Sequence, residues 1–314
     1  MCQNVSIIIF SYNRAMQLDY LIRSIFNFVK IPNYEIIVIY HYSEDHHESY
    51  TYLIEKYKNK IKFIERQRRN NFFLHTLPFF FTFYGNIIWY LKYEYMRKNL
   101  DNFKSLFENF LFQSNADFVL LFTDDAIIYD NLSIPSEVLD LIKKNPSQYS
   151  YKAIIGQNVN GSPKNIKRRD DFYYWNYYDK NSSSHWAYPF AVDATLYYKD
   201  YLLSLINKVL YQSPITLEAF VVKYVKIKKK FNFGFSPLTS KVISITINKV
   251  SNITNNFSID IDVNLLKNKF LEGYKLEYKL PSVINQTSIV PDEVSLIRGS
   301  EKIILFNKIN INKE

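Results

Sequence analysis

Hydrophobic positions follow two alternating rhythms along the first 130 or so residues. Residues 5–10 form a nearly unbroken apolar run, closed by the polar turn Ser11-Tyr12-Asn13-Arg14. Leu18, Leu21, Ile22, Ile25, Phe26 and Val29 then recur at helical spacing, and Pro32-Asn33 breaks the chain before a second apolar run at 34–40. The same reading predicts a helix at 52–57, a short strand at 61–64, a helix at 106–112, a buried strand at 116–121 and a β-rich run at 126–129. Continuous apolar strands alternating with amphipathic helices predict an α/β fold whose mostly parallel sheet is covered on both faces. Ligands bind such sheets beyond the carboxyl ends of the strands. Residues 11–14, 42–45 and 66–69 and the pair Asp124-Asp125 would then share one edge.

The rhythm breaks at residues 72–95, which are nearly uncharged over about a transmembrane length. A spanning helix there would put the third strand and the Asp pair on opposite sides of a membrane, which one sheet forbids. Pro78, Gly85 and Asn86 favour two short helices. A buried helical hairpin, a dimerisation surface and a membrane-dipping patch all remain open for this insert. Beyond it the pattern predicts strands at 153–157 and 241–247, helices at 201–209 and 217–223, and an aromatic-rich segment at 175–198. A helix at 263–270 and a strand at 302–306 lie in the tail. No linker divides the chain, so residues 1–250 read as one domain, with an insert at about 70–100, and 251–314 as an extension packed on it.

Composition narrows the partners. The 314 residues are 47% hydrophobic, enough for a large core, and 22% charged, close to a normal globular share. The net charge of +9 favours phosphates or anionic headgroups. The basic residues are scattered, which argues against nucleic acid. The lone Cys2 excludes an intrachain disulfide and a multi-cysteine zinc site. With no charged segment before the first strand to act as a signal, the expectation is a cytoplasmic protein, associated with the inner membrane face if its acceptor is lipid-linked.

Candidate chemistry centres on Phe122-Thr123-Asp124-Asp125. Adjacent carboxylates at a strand end repel when ionised, and a bound cation relieves this. Oxygen ligands of this kind suit Mg²⁺ or Mn²⁺ held with substrate phosphates. The alternative is a strand-to-turn junction whose acids face water.

The order of these features resembles nucleotide-sugar-dependent glycosyltransferases of the GT-A fold, most nearly bacterial enzymes that build surface polysaccharide. Residues 5–14 look like that family's first strand and nucleotide-contacting loop, 34–43 like its second strand, and Phe122-Thr123-Asp124-Asp125 stands where its Asp-x-Asp motif stands. The likeness covers about residues 3–130 well and is looser to about 250. Two departures stand out: Tyr40-His41-Tyr42-Ser43 replaces the acidic residue usual after the second strand, and the common Glu-Asp pair is absent as such.

The resemblance implies a metal-dependent enzyme that moves a sugar from a nucleotide diphosphate sugar to a glycan or lipid-linked acceptor. Asp125 would be the direct metal ligand, with Asp124 on the donor or reaching the metal through water. Ser11, Asn13, Arg14, Ser43, Arg66 and Lys249 would contact the nucleotide, Arg being fitted to phosphate by its forked donors. Trp186, Tyr188 and Asp193 read as an acceptor wall, since aromatic faces stack on sugar rings. His185 is a candidate third metal ligand. Glu218 is the first candidate for general base and Asp193 the second. Whether transfer inverts or retains stays open. A nucleotidyltransferase would be expected to carry a Gly-rich loop where Ser11-Tyr12-Asn13-Arg14 has no Gly; a non-catalytic glycan- or lipid-binding module is the reading from another class.

Overall fold

The structure is a computed structural model that describes residues 4–67, 101–248 and 258–308. The insert at 72–95, Arg68, Arg69 and Lys249 lie outside the described residues. The strands are β1 (Val5–Tyr12), β2 (Tyr34–His41), β3 (Lys62–Glu65), β4 (Phe118–Thr123), β5 (Ala126–Ile128), β6 (Tyr149–Lys152), β7 (Lys167–Arg168), β8 (Phe172–Asn176), β9 (Thr195–Tyr198), β10 (Phe233–Pro237), β11 (Val242–Ser244), β12 (Lys275–Lys279), β13 (Glu293–Arg298) and β14 (Glu301–Asn307). The helices are α1 (Ala15–Phe28), α2 (His47–Tyr57), α3 (Phe103–Gln113), α4 (Ser136–Lys144), α5 (Lys199–Ile206), α6 (Pro214–Lys228) and α7 (Val263–Leu271).

The central sheet has the order β3-β2-β1-β4-β9-β6-β10-β8-β7. Its first four strands run parallel, with Ile7 opposite both Ile36 and Leu120. β1, β4 and the body of β2 are apolar on both faces because helices cover both, and Ile7, Ile8, Ile9, Leu120 and Leu121 are fully buried, whereas β3 is the partly exposed edge. From β9 onward the sheet is mixed: β9 is antiparallel to β4 and β6, and β10 is parallel to β6. Four parallel strands ending on one edge, extended by a mixed half and flanked by helices, make this an α/β fold of the GT-A type.

Two expectations move. The predicted strand at 153–157 is instead a buried turn that follows β6. Its apolarity comes from packing against the chain at 239–241: a Cβ on Gly156 would lie 2.2 Å from the Ser240 main-chain nitrogen. The strand at 241–247 shortens to β11, which pairs with β5. The aromatic run resolves into β8 and an irregular stretch leading to β9. Gly234 lets β10 pass under Trp175, whose ring a Cβ there would meet at 2.4 Å.

Beyond residue 258, α7 and the β12-β13-β14 sheet lie against α1 and α2. Arg23 of α1 donates to the Leu276 carbonyl at 2.7 Å and pairs with Glu277 at 2.9 Å, while Tyr20 meets Tyr278 edge-on at 4.8 Å.

Candidate active site

β1 and β4 end side by side, with Phe10 opposite Thr123, so the turn after β1 meets the Asp pair. Asp124 points inward. Its Oδ2 accepts from the Ser11 hydroxyl at 2.9 Å and the Tyr12 N–H at 3.0 Å, and its Oδ1 accepts from Arg14 Nη1 at 3.1 Å. Tyr50 of α2 steadies this knot through Ser11 Oγ at 2.6 Å. Burial is the main force on the Asp124 carboxyl and pushes it up to about 6, with Arg14 opposing and Asp125 reinforcing.

Arg14 is itself buried and fully engaged. Nη1 also reaches Asp125 at 3.2 Å, while Nε and Nη2 hold the side-chain and main-chain oxygens of Asn248 at 3.1 and 2.6 Å. Burial acts against its charge, yet the two carboxylates outweigh it and the guanidinium sits above its usual range. Arg14 is therefore the counter-ion of the Asp pair, and its fork is taken up by the protein.

Asn13 adopts φ +54°, a left-handed conformation that Asn tolerates, and bridges to the second loop. Its amide donates to Ser43 Oγ at 3.0 Å and accepts from the Ser43 N–H at 2.8 Å. Beside this link the Tyr12 and His41 rings stack at 5.5 Å with 7° between their planes, a half-buried flat surface on the same edge.

Asp125 is turned the other way. Its side chain is 19% exposed against 6% for Asp124, and its contacts with Arg14 and Thr246 (3.4 Å) both fall on Oδ2. That fits a hard divalent ion held through one carboxylate together with substrate phosphates. Asp124 does not fit as a direct ligand, because three protein donors already surround it. Among the described residues, no three His, Cys, Asp or Glu side chains gather as a ready-made metal cage.

A second acidic group lies across from Asp125. Asp193 precedes Ala194, which is held at φ +45°, a strained conformation for a residue with a Cβ. Ser244 of β11 donates to Asp193 Oδ2 at 2.6 Å, while Oδ1 is buried without a partner. Burial first, then Asp125, pushes the Asp193 carboxyl up to about 7, with Glu218 adding to it and the Ser244 hydroxyl and the Thr123 main-chain N–H acting against it. Glu218 is presented by α6, whose start is fixed by Pro214 and a reciprocal Ser213–Thr216 capping box. Both of its oxygens are used: Oε2 accepts from the Val192 N–H at 2.7 Å and Oε1 from the Tyr188 hydroxyl at 3.1 Å. Burial raises its carboxyl, against the Val192 N–H and the Lys152 charge.

The structure thus brings Ser11, Asn13, Arg14, Ser43, Asp124 and Asp125 together, and gathers Asp193, Glu218 and Tyr188 opposite them. Besides Arg14, whose fork is taken up by the protein, and Asp124, which is closed to direct metal ligation, two further residues do not hold their expected roles. Arg66 does not reach toward a ligand: it forms a two-pronged, buried ion pair with Asp101, donates to the Gln212 carbonyl and lies over the Phe103 ring. Trp186 is not a wall for an acceptor. It is fully buried, its indole N–H bonds the Val159 carbonyl at 3.2 Å, and Trp175 packs on its ring. His185 next to it is exposed on a 3-10 turn. Sequence reading missed Lys152, a single cation inside the apolar and aromatic stretch at 149–155, a signal that was there to be used. It also missed Ser244, which carries no sequence signal at all.

Parallel strands in the order 3-2-1-4 with an acidic pair at the end of the fourth are the architecture of a GT-A fold. No protein-family model matches the chain, and no curated protein sequence does. Among solved structures it is similar to Staphylococcus aureus TarS 1–349 in complex with UDP-GlcNAc, at 15% identity and a TM-score of 0.44, over 81% of this chain and 62% of that one. The complex of the same protein with UDP gives 18% identity and a TM-score of 0.42, over 76% and 58%. A mannosyltransferase from Pyrobaculum calidifontis in complex with GDP-Man and Mn²⁺ gives 13% and 0.28, over 49% and 36%. The chain thus spans less than two thirds of the length of these proteins. Likenesses at this level say nothing about what this chain acts on.

Proposed function

We propose that the protein is a glycosyltransferase that moves a sugar from a nucleotide diphosphate sugar to a hydroxyl of a glycan, free or lipid-linked, in building surface polysaccharide. One observation carries the reading: Asp125 stands outward from a locked Asp124 at the carboxyl edge of the parallel strands, opposite an Asp193 oxygen that has no protein partner. The edge offers the Tyr12–His41 surface to a base and the Asn13–Ser43 link to a ribose or phosphate. Asp125 would hold Mn²⁺ or Mg²⁺, whose chemistry there is to neutralise charge on the departing diphosphate.

Between the two candidate bases the geometry favours Asp193. Glu218 spends both oxygens on Val192 and Tyr188, so its part is to fix the segment that aims Asp193. The free Asp193 Oδ1 takes the acceptor proton as the acceptor oxygen bonds to the sugar C1 and the bond from C1 to the phosphate oxygen breaks. A carboxyl that titrates near 7 is well placed for that task. This assignment makes the transfer inverting.

The test is donor cleavage and Mn²⁺-dependent donor binding, measured with UDP-GlcNAc and GDP-mannose as first probes. Asp125→Ala is expected to lose both while melting within a few degrees of the parent chain. Retention of both would overturn the assignment.

A further inference from the structure

Among the described residues, Lys152, the last residue of β6, is the cation that acts on the acidic group formed by Asp193 and Glu218 and for which the transfer chemistry above has no use. It is fully buried, and its amine has no hydrogen-bond partner. It sits 5.5 Å from the Tyr177 ring centre and 5.6 Å from that of Tyr188, and it interacts electrostatically with Glu218 and Asp193 without contacting either. A buried unpaired ammonium is costly, and proteins leave few of them. Asp193 Oδ1 is likewise buried and without a hydrogen-bond partner. An orphan donor and an orphan acceptor set near the same Glu218 carboxylate are both satisfied by a group that carries O–H and oxygen lone pairs. A hydroxyl-bearing ring meets that need, and half-buried Tyr188 offers it an apolar face beside the amine.

We propose that Lys152 is a substrate-binding residue whose amine donates to a hydroxyl of the sugar seated at Asp193, and so selects among sugars by hydroxyl pattern. The inference rests on the transferase reading for the identity of the ligand. A site built around a buried polar group rejects analogues lacking its partner strongly, because the group is then left unpaired. Either the sugar of the donor or that of the acceptor can supply the hydroxyl, and the two are separable.

The experiment compares the parent chain with Lys152→Met and Lys152→Arg by calorimetry and thermal melting. Ligands are UDP, UDP-GlcNAc, UDP-glucose and UDP-galactose with Mn²⁺, and free monosaccharides and oligosaccharides added to the UDP-loaded protein. Lys152→Met is expected to bind UDP unchanged and to lose about 10- to 100-fold in affinity for the sugar-bearing ligand, the range for a charge-assisted hydrogen bond. A loss confined to UDP-sugars places the amine on the donor; a loss confined to free saccharides places it on the acceptor. The ligand-free Lys152→Met chain should melt higher than the parent, since it no longer buries an unpaired charge. Lys152→Arg should fold yet discriminate poorly between glucose and galactose forms. The proposal is overturned if Lys152→Met melts lower without ligand, which would make the amine a structural group. It is also overturned if sugar affinity is unchanged, if UDP binding falls equally, or if no sugar-bearing ligand binds the parent chain better than UDP. Sugar binding sensitive to Lys152 with no donor cleavage would uphold this site and sink the transferase reading instead. Cleavage indifferent to Lys152 would do the reverse.

Discussion

At the scale of single residues, the adjacent acids Asp124 and Asp125 have opposite duties. Asp124 closes a buried knot with Ser11, Tyr12 and Arg14, whereas Asp125 keeps one side open. Asp124→Ala should therefore cost about 3–5 kcal/mol, because it removes the buried counter-charge of Arg14 and takes their shared acceptor from the Ser11 and Tyr12 donors. Asp125→Ala should cost under about 1 kcal/mol, as for a partly exposed pair. Urea unfolding of the two variants measures the contrast. Titration gives a second contrast, in metal-free protein. Asp193 ionises near 7 when folded and near 3.8 when unfolded, so the unfolded chain binds fewer protons between those values and stability falls as pH rises through that window. Asp193→Asn should thus gain on the parent above pH 7 and match it below about pH 4. Lys152 runs the other way: burial lowers its folded value from the ordinary 10.5 to about 7, so stability rises from pH 7 upward. The advantage of Lys152→Met should be largest below pH 7 and shrink by pH 10.5. Melting curves across pH 4–10 in chelator check both signs. The Asp pair was legible in the sequence because adjacent acids at a strand end are chemically conspicuous. The resemblance already set Asp125 on the metal and Asp124 apart from it; the burial of Asp124 against Arg14 was not legible, since that depends on which way two neighbouring side chains turn.

At the scale of elements, apolar runs were the readable part. The strands β1, β2 and β4 follow from uninterrupted hydrophobic stretches, and a parallel sheet then puts the turns after them on one edge. What the pattern misreads is burial without pairing: residues 153–157 are apolar because they pass under the 239–241 segment, and no local signal separates that from a strand. Arg66 shows the same limit from the polar side. It stands at the end of β3 on the correct edge, yet its guanidinium is taken by Asp101, a residue on the far side of the insert in sequence. Arg66 therefore fastens β3 to the start of α3 and to the Gln212 loop that leads into α6. Arg66→Met should cost about 3–5 kcal/mol, as expected when one partner of a buried ion pair is removed. Donor affinity, by calorimetry at a temperature where the variant is folded, should stay within about twofold of the parent. A large loss of nucleotide affinity with unchanged stability would return Arg66 to the ligand.

At the scale of the whole molecule, the last fifty or so described residues are tied to the chemistry as well as to the outer helices. The α7–β12 part covers α1 and α2, burying Phe270 and Leu276. The strand-like segment before β13 reaches further in. Ser244 donates its N–H to the Thr287 carbonyl at 2.8 Å and accepts from the Ile289 N–H at 3.1 Å, and Asn158 binds the Ile284 carbonyl at 2.8 Å. Ser244 is the residue whose hydroxyl orients Asp193, so this segment braces the candidate base from behind. β11 is three residues long and pairs on its other side with the equally short β5, which gives it little rigidity of its own. Two outcomes of removing residues 258–314 can therefore be told apart. If the region were only a cover, the shortened chain would melt lower but cleave donor normally at low temperature. The bracing contacts predict instead that cleavage fails even where circular dichroism shows the sheet intact, because Asp193 loses its fixed Ser244 partner. A narrower substitution isolates the effect: Ser244→Ala leaves every main-chain contact in place and removes only the hydroxyl that holds Asp193 Oδ2. It should lower kcat by about 10- to 100-fold with little change in KM, and move the acidic limb of the rate profile upward in pH, since that hydroxyl favours the ionised carboxylate.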